Sequence, residues 1–137
     1  MIKLFGKGNH PDEAVIYNKL GYLNFRSGKH VKAIKFHKQA IGIIVNVYKI
    51  SDNKNFHPEI ARTLNHMGMI HVEYGIFEEA EKNFEKSRQT YEAFFKGPHP
   101  EKARTHYYRG LLLQKRGDNV SLKASIDEIN TSLEMQR

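Results

Sequence analysis

One dipeptide sets the plan of this chain. His-Pro occurs at His10-Pro11, His57-Pro58 and His99-Pro100, at intervals of 47 and 42 residues. Small residues recur in step with it: Ala14, Ala61 and Ala103, then Gly21, Gly68 and Gly110, then Gly28, Gly75 and Gly117. Ala33 pairs with Ala80, and the triplet Ala61-Arg-Thr returns as Ala103-Arg-Thr. Self-similarity at a period of roughly 20–50 residues marks a repeat architecture, in which each unit buries its apolar face only against its neighbours.

Each unit reads as two helices with a glycine turn between them. Pro11 is tolerated in a first helical turn because the N–H it lacks has no intrahelical partner there, and Asp12 and Glu13 suit the positive end of the helix dipole. Val15, Ile16, Leu20, Leu23 and Phe25 follow near helical spacing, and Gly28 offers the left-handed turn that ends the run. The spacing predicts a second helix from about Val31 to Ile50, unusually rich in apolar residues, then a polar loop at Ser51-Asp-Asn-Lys-Asn. A third helix is expected from His57-Pro58 to about Tyr74, a fourth from Phe77 to about Phe95, a fifth from His99-Pro100 to about Arg116 and a sixth from about Val120 to the end. In the sixth, Leu122, Ile126, Ile129 and Leu133 share one stripe. The expectation is that this stripe is buried and that Lys123, Asp127, Asn130 and Glu134 face water, as an end cap requires.

The whole reads as one all-α domain over residues 1–137. Residues 1–9 are expected to be the tail of a preceding repeat or an N-terminal extension, residues 10–50 the first repeat, 57–96 the second, and 99–137 the third with its capping helix.

The spacing pattern resembles the tetratricopeptide repeat. Tyr17, Leu20-Gly21, Gly28, Ala33 and Ala40 carry the likeness in the first repeat, and Leu64, Met67-Gly68, Gly75, Ala80, Phe84 and Ser87 in the second. The third has His106, Arg109-Gly110, Leu113 and Gly117, and its second helix departs from the pattern. The His-Pro openings, with His57-Pro-Glu-Ile-Ala-Arg-Thr-Leu-Asn-His-Met the fullest, are similar to the kinesin-light-chain-type subclass with its repeat of ~42 residues. The resemblance implies a right-handed superhelical solenoid of about three repeats and six helices. It also implies a concave groove, lined by the first helix of each repeat, that holds peptides.

Carried over by position, the groove residues are Asn18, Lys19, Tyr22, Phe25 and Arg26 in the first repeat. In the second they are Arg62, Asn65, His66, Met69 and Glu73, and in the third Arg104, Tyr107, Tyr108, Leu111 and Lys115. Spacings of three and four place each set on one helical face. An asparagine amide can pair with both N–H and C=O of a bound backbone. Lys19, Arg26, Arg62, Arg104 and Lys115 outnumber Glu73, so the groove is expected to prefer an acidic peptide. Tyr22, His66 and Tyr108 stand where relatives that clamp a terminal carboxylate carry other polar residues, which argues against such a clamp here.

Charge agrees with an acidic partner: the net value is +7, and basic proteins attract acidic surfaces. The cations are spread along the chain with no block that marks a nucleic-acid arm, so nucleic-acid binding is the weaker alternative. A second alternative is self-association, through an exposed patch at Ile43, Val47 or Ile50 on the second helix. The chain has no cysteine, which removes disulfide and thiolate chemistry and fits a cytoplasmic setting. No apolar run reaches the ~18 residues of a membrane span.

The eight histidines do not form a metal motif: His66 and His71 are five apart and His30 and His37 seven apart, neither of them the i, i+4 spacing of a helical pair. His10, His57 and His99 are read as helix-start residues. No constellation supplies nucleophile, base and oxyanion site together. The sequence therefore points to a non-catalytic, cofactor-free protein-interaction module.

Overall fold

Each His-Pro pair begins a helix, and Gly28, Gly75 and Gly117 follow helix ends, in the computed structural model of the chain, which describes residues 10–49, 57–117 and 119–135. The expected N-terminal tail at 1–9, Ile50 and the polar loop lie outside the described residues. Among the described residues there are six helices and no strand: α1 Pro11–Arg26, α2 His30–Val47, α3 Pro58–Glu73, α4 Phe77–Phe94, α5 Pro100–Arg116 and α6 Asn119–Met135. The chain divides into two compact units, Met1–Thr63 and Leu64–Arg137, so the boundary falls inside α3.

The histidine of each His-Pro pair caps a helix with its side chain. His10 Nδ1 accepts from the Asp12 N–H, His57 Nδ1 from Glu59 and His99 Nδ1 from Glu101, each at 3.1 Å. This satisfies one of the four N–H groups that a helix start leaves without a partner, the task usually given to Ser, Thr, Asp or Asn. Two of these imidazoles also rest on an aromatic ring from the end of the preceding helix. Tyr48 stacks on His57 at 4.3 Å and Phe95 on His99 at 3.7 Å. The ring contact is kept although nine residues separate the first pair and four the second, so the differing repeat intervals end in the same joint.

At the other ends, glycine makes the turn. Gly75 and Gly117 sit at φ 75° and 79°, where a Cβ would be strained. α2 stops at Val47, short of the expected Ile50. The Tyr48 N–H closes the helix on the Ile44 carbonyl, and Lys49 then adopts φ 52°, which turns the chain out of the helix.

In the first unit α1 and α2 pair across Gly21, where an added Cβ would lie 2.6 Å from the His37 ring. Tyr17 stacks on Phe36 at 6.0 Å. Ala14, Ala33 and Ala40 are buried; their small side chains let the helix backbones approach closely. The second unit repeats the device with a different residue. Gly68 on α3 faces Phe84 on α4, with an added Cβ only 2.4 Å from Cε1. Val72, Ala80, Phe84 and Leu112 form the core of this unit, with Met69, Phe77 and Tyr108 against it.

The expected patch on α2 is not exposed at its centre. Ile43 is 8% exposed and Ile44 3%, while Val47 is half-buried.

α6 meets half of the sequence-based expectation: Lys123, Asp127, Asn130 and Glu134 are exposed, but the apolar stripe is not buried. Leu122, Ile126 and Leu133 are 41%, 60% and 52% exposed, and Ile129 is half-buried. The side turned to α5 is polar: Glu128 binds His106 and Arg109, and Ser132 is buried. The physical reason lies on α5, whose His106 and Arg109 offer a carboxylate partner and no apolar seat.

Candidate functional site

The candidate residues separate by exposure into two groups. Lys19, Tyr22, Arg26, Arg62, His66, Arg104, Tyr107 and Lys115 are exposed, as is Glu73. Asn18, Phe25, Met69, Tyr108 and Leu111 are half-buried, and Asn65 is buried.

The two asparagines correct the sequence reading. They were expected to present amides to a bound backbone; both instead direct their NH₂ groups to a threonine inside the fold. Asn18 Nδ2 donates to Thr63 Oγ1 at 3.2 Å, and Thr63 Oγ1 donates on to the Glu59 carbonyl at 3.0 Å. With its NH₂ so placed, Asn18 turns its Oδ1 to His37 Nδ1 at 2.8 Å; the imidazole then carries its proton on Nδ1. The second unit repeats the chain of bonds, with Asn65 Nδ2 donating to Thr105 Oγ1 at 2.9 Å and Thr105 Oγ1 to the Glu101 carbonyl at 3.1 Å. Phe84 stands where the first repeat has His37 and offers no donor. Asn65 Oδ1 accordingly has no hydrogen-bond partner. The threonine of each recurring Ala-Arg-Thr triplet and the asparagine of the repeat before it form a register pin between successive first helices. The triplet at 61–63 and 103–105 was the signal for it in the sequence.

The exposed members keep the basic and aromatic character expected of a recognition face. In the first unit, Arg26 Nη1 donates to the Tyr22 hydroxyl at 3.2 Å and its guanidinium lies 5.9 Å from the Tyr22 ring centre. This contact fixes a cation above an exposed ring. In the second unit, Arg104 Nη1 lies 3.1 Å from both carboxylate oxygens of Glu101. Arg104 therefore carries an internal counter-ion that the residue count had left out.

Arg104, Tyr107 and Tyr108 from α5 and Ile129, Ser132 and Leu133 from α6 line a cleft of about 430 Å³. Tyr108 stacks on Phe84 at 5.9 Å. Burial raises its phenol above the ordinary tyrosine value, so the ring stays neutral at pH 7. The cleft thus combines a guanidinium, two tyrosines and an apolar wall. That combination binds a carboxylate beside an apolar group and supplies no nucleophile–base pair.

Near this cleft, α6 is held by charge. Burial opposes ionisation of Glu128, but the His106 hydrogen bond and the charges of Arg109 and Arg88 outweigh it and keep the carboxyl below its ordinary value. Glu128 and its partners sit in a helix–helix joint and are explained by that role. Lys102, 5% exposed, is likewise structural: its ammonium donates to the Gly97 carbonyl at 2.7 Å and pairs with Glu92 at 3.3 Å.

Among the described residues no group of three His, Cys, Asp or Glu side chains is placed to hold a metal ion, and no helix is long and apolar enough to cross a membrane.

The tetratricopeptide repeat family model matches residues 57–120. That span contains α3, α4 and α5 and supports a tetratricopeptide repeat protein; such repeats generally mediate protein–protein interaction. No curated protein matches the chain.

Proposed function

We propose that this chain is a non-catalytic interaction module that binds short acidic segments of other proteins on the exposed faces of its first helices. The observation that carries the reading is the α5–α6 cleft. A partner carboxylate placed there competes with Glu101 for Arg104, while an adjacent apolar side chain packs on Tyr107, Tyr108 and Leu133. The net charge of +7 supports it by favouring encounter with acidic partners. In the first unit Lys19 and the Tyr22–Arg26 pair offer a similar but shallower face. The His-Pro openings support assignment to the kinesin-light-chain-type subclass, and the lack of cysteine supports a cytoplasmic setting.

The test is a fluorescence-polarisation titration with labelled peptides rich in Asp and Glu and carrying one Leu or Phe. Binding in the micromolar range is expected, weakening as salt rises. Arg104→Glu and Tyr107→Ala should each weaken it about tenfold, roughly the 1–2 kcal/mol of an interface anchor. Equal binding of a Lys-rich peptide, or no effect of either substitution, would overturn the reading.

A further inference from the structure

Among the described residues two apolar surfaces are exposed, and each has the form of the other's counterpart. The first is the outer stripe of α6, where Leu122, Ile126 and Leu133 recur at the spacing of one helical face and are 41%, 60% and 52% exposed. On α4, the second helix of the preceding repeat, Phe84 and Tyr91 occupy the positions 42 residues earlier than Ile126 and Leu133 and are fully buried. Two helices pack there: Gly68 of α3, in the same repeat, faces Phe84, and from the next repeat Tyr108 of α5 stacks on Phe84 while Leu112 joins the cluster around it.

The second surface is on α1. Stepping back through the two repeat intervals, Leu112 corresponds to Leu23 and Thr105 to Ile16. In α5 these positions are 2% and 1% exposed. In α1 they are 57% and 41% exposed, and Val15 beside Ile16 is 47% exposed. The position that carries a hydrogen-bonding threonine in α5 is isoleucine in α1, so the pin residue is replaced by an apolar one on the helix where it would face out.

We infer that two copies of this chain join head to tail, with α1 of one copy seated on the α6 stripe of the next as α5 is seated on α4. The occupant is set by the fold itself. The second unit already contains a first helix packed on the second helix of the repeat before it, and α1 carries apolar side chains at the positions that packing uses. Because the two surfaces differ, the contact is heterologous and does not close after two copies, so association continues beyond a dimer, into a ring or an open chain. Leu133 also borders the α5–α6 cleft, so assembly and peptide capture compete there, but the inference does not rest on the peptide reading.

The experiment is sedimentation velocity on the full chain over a concentration series, with Ile126→Glu and Leu23→Glu alone and mixed, each checked for helicity by circular dichroism. All the substituted positions are exposed. Ile126→Gln and Leu23→Gln serve as milder replacements should either charged variant lose helicity. The wild type is expected to rise continuously above the 15.9 kDa of one chain, and each variant alone to stay at that mass. The mixture is expected to form a one-to-one complex and stop there, because each variant keeps the surface the other has lost. A wild type of constant monomer mass would overturn the inference. So would association of Leu23→Glu by itself, which means α6 pairs with α6, or of Ile126→Glu by itself, which means α1 pairs with α1.

Discussion

Single residues decide how closely the helices of one repeat approach. Gly68 is the tightest point: a Cβ there would meet the Phe84 ring at 2.4 Å, and that ring belongs to a fully buried cluster with little room to shift. Gly68→Ala is expected to destabilise the chain by about 1–3 kcal/mol, the usual cost of forcing extra atoms into a packed core, read as a lower urea midpoint. A second residue-scale expectation comes from the mismatch between the two pins. Asn18 is satisfied at both ends of its amide, whereas Asn65 has an Oδ1 without a partner because Phe84 replaces the histidine. Phe84→His should give Asn65 the donor it lacks. In a double-mutant cycle with Asn65→Ala, the pair should show a favourable coupling of about 1 kcal/mol. A coupling near zero would mean the new imidazole does not reach the amide. The glycine spacing was legible from the sequence with its reason. The asparagines were misassigned because a residue facing a ligand and a residue facing the next repeat share the same helical face, and periodicity does not distinguish them.

At the scale of elements, the opening at His57-Pro58 acts as a cap that titrates. Burial holds His57 below the ordinary histidine value, against the opposing pull of Glu59. Its Nδ1 is a hydrogen-bond acceptor in the cap, and protonation removes that role. A histidine whose folded value is lowered contributes stability that is fully present above its unfolded value of roughly 6.5. That contribution is lost as pH falls through the folded value. His57→Asn keeps a capping side chain that does not titrate there. Between pH 7 and 5 the variant should therefore lose less melting temperature than the parent, and identical pH slopes would contradict the cap's role.

The joint of α6 belongs to the same scale. Glu128, with its lowered value, contributes stability present above the ordinary carboxylate range and lost as pH falls through its folded value. Glu128→Gln is expected to cost about 1–2 kcal/mol, between the limits for surface and buried ion pairs. Its amides on α6 should also exchange hydrogen faster than those of α4. Helix number and most boundaries followed from His-Pro, glycine and apolar spacing. The facing of α6 did not, because the apolar stripe Leu122–Ile126–Ile129–Leu133 gave the stronger periodic signal. The partners that turn it outward, His106 and Arg109, lie on another helix.

On the scale of the whole molecule, the described residues divide between those that hold the helices together and those that remain exposed. His10, His57 and His99 are caps, His37 belongs to a pin and His106 to a joint, and the buried Lys102 is paired with Glu92. Beside exposed acidic residues such as Glu73, Glu78 and Glu79, the surface carries cations and aromatic rings at Lys19, Tyr22, Arg26, Arg104 and Tyr107 on first helices, and the apolar stripe on α6. The repeat character was legible because small residues such as Ala61, Gly68, Gly75 and Ala80 recur at fixed spacing, and repeats of this kind generally mediate protein–protein interaction. The chemical identity of a partner depends on how a few side chains converge, and at Arg104, Tyr107 and Leu133 that convergence comes from two helices, of which α6 faces otherwise than its periodicity suggested. The most direct test is to record amide chemical shifts of the chain during titration with an acidic, leucine-containing peptide. The account predicts saturable shifts concentrated around Arg104, Tyr107 and Tyr108 and along the facing turn of α6 at Ile129 to Leu133, diminished by added salt. Shifts confined to other helices, or none at millimolar peptide, would contradict it.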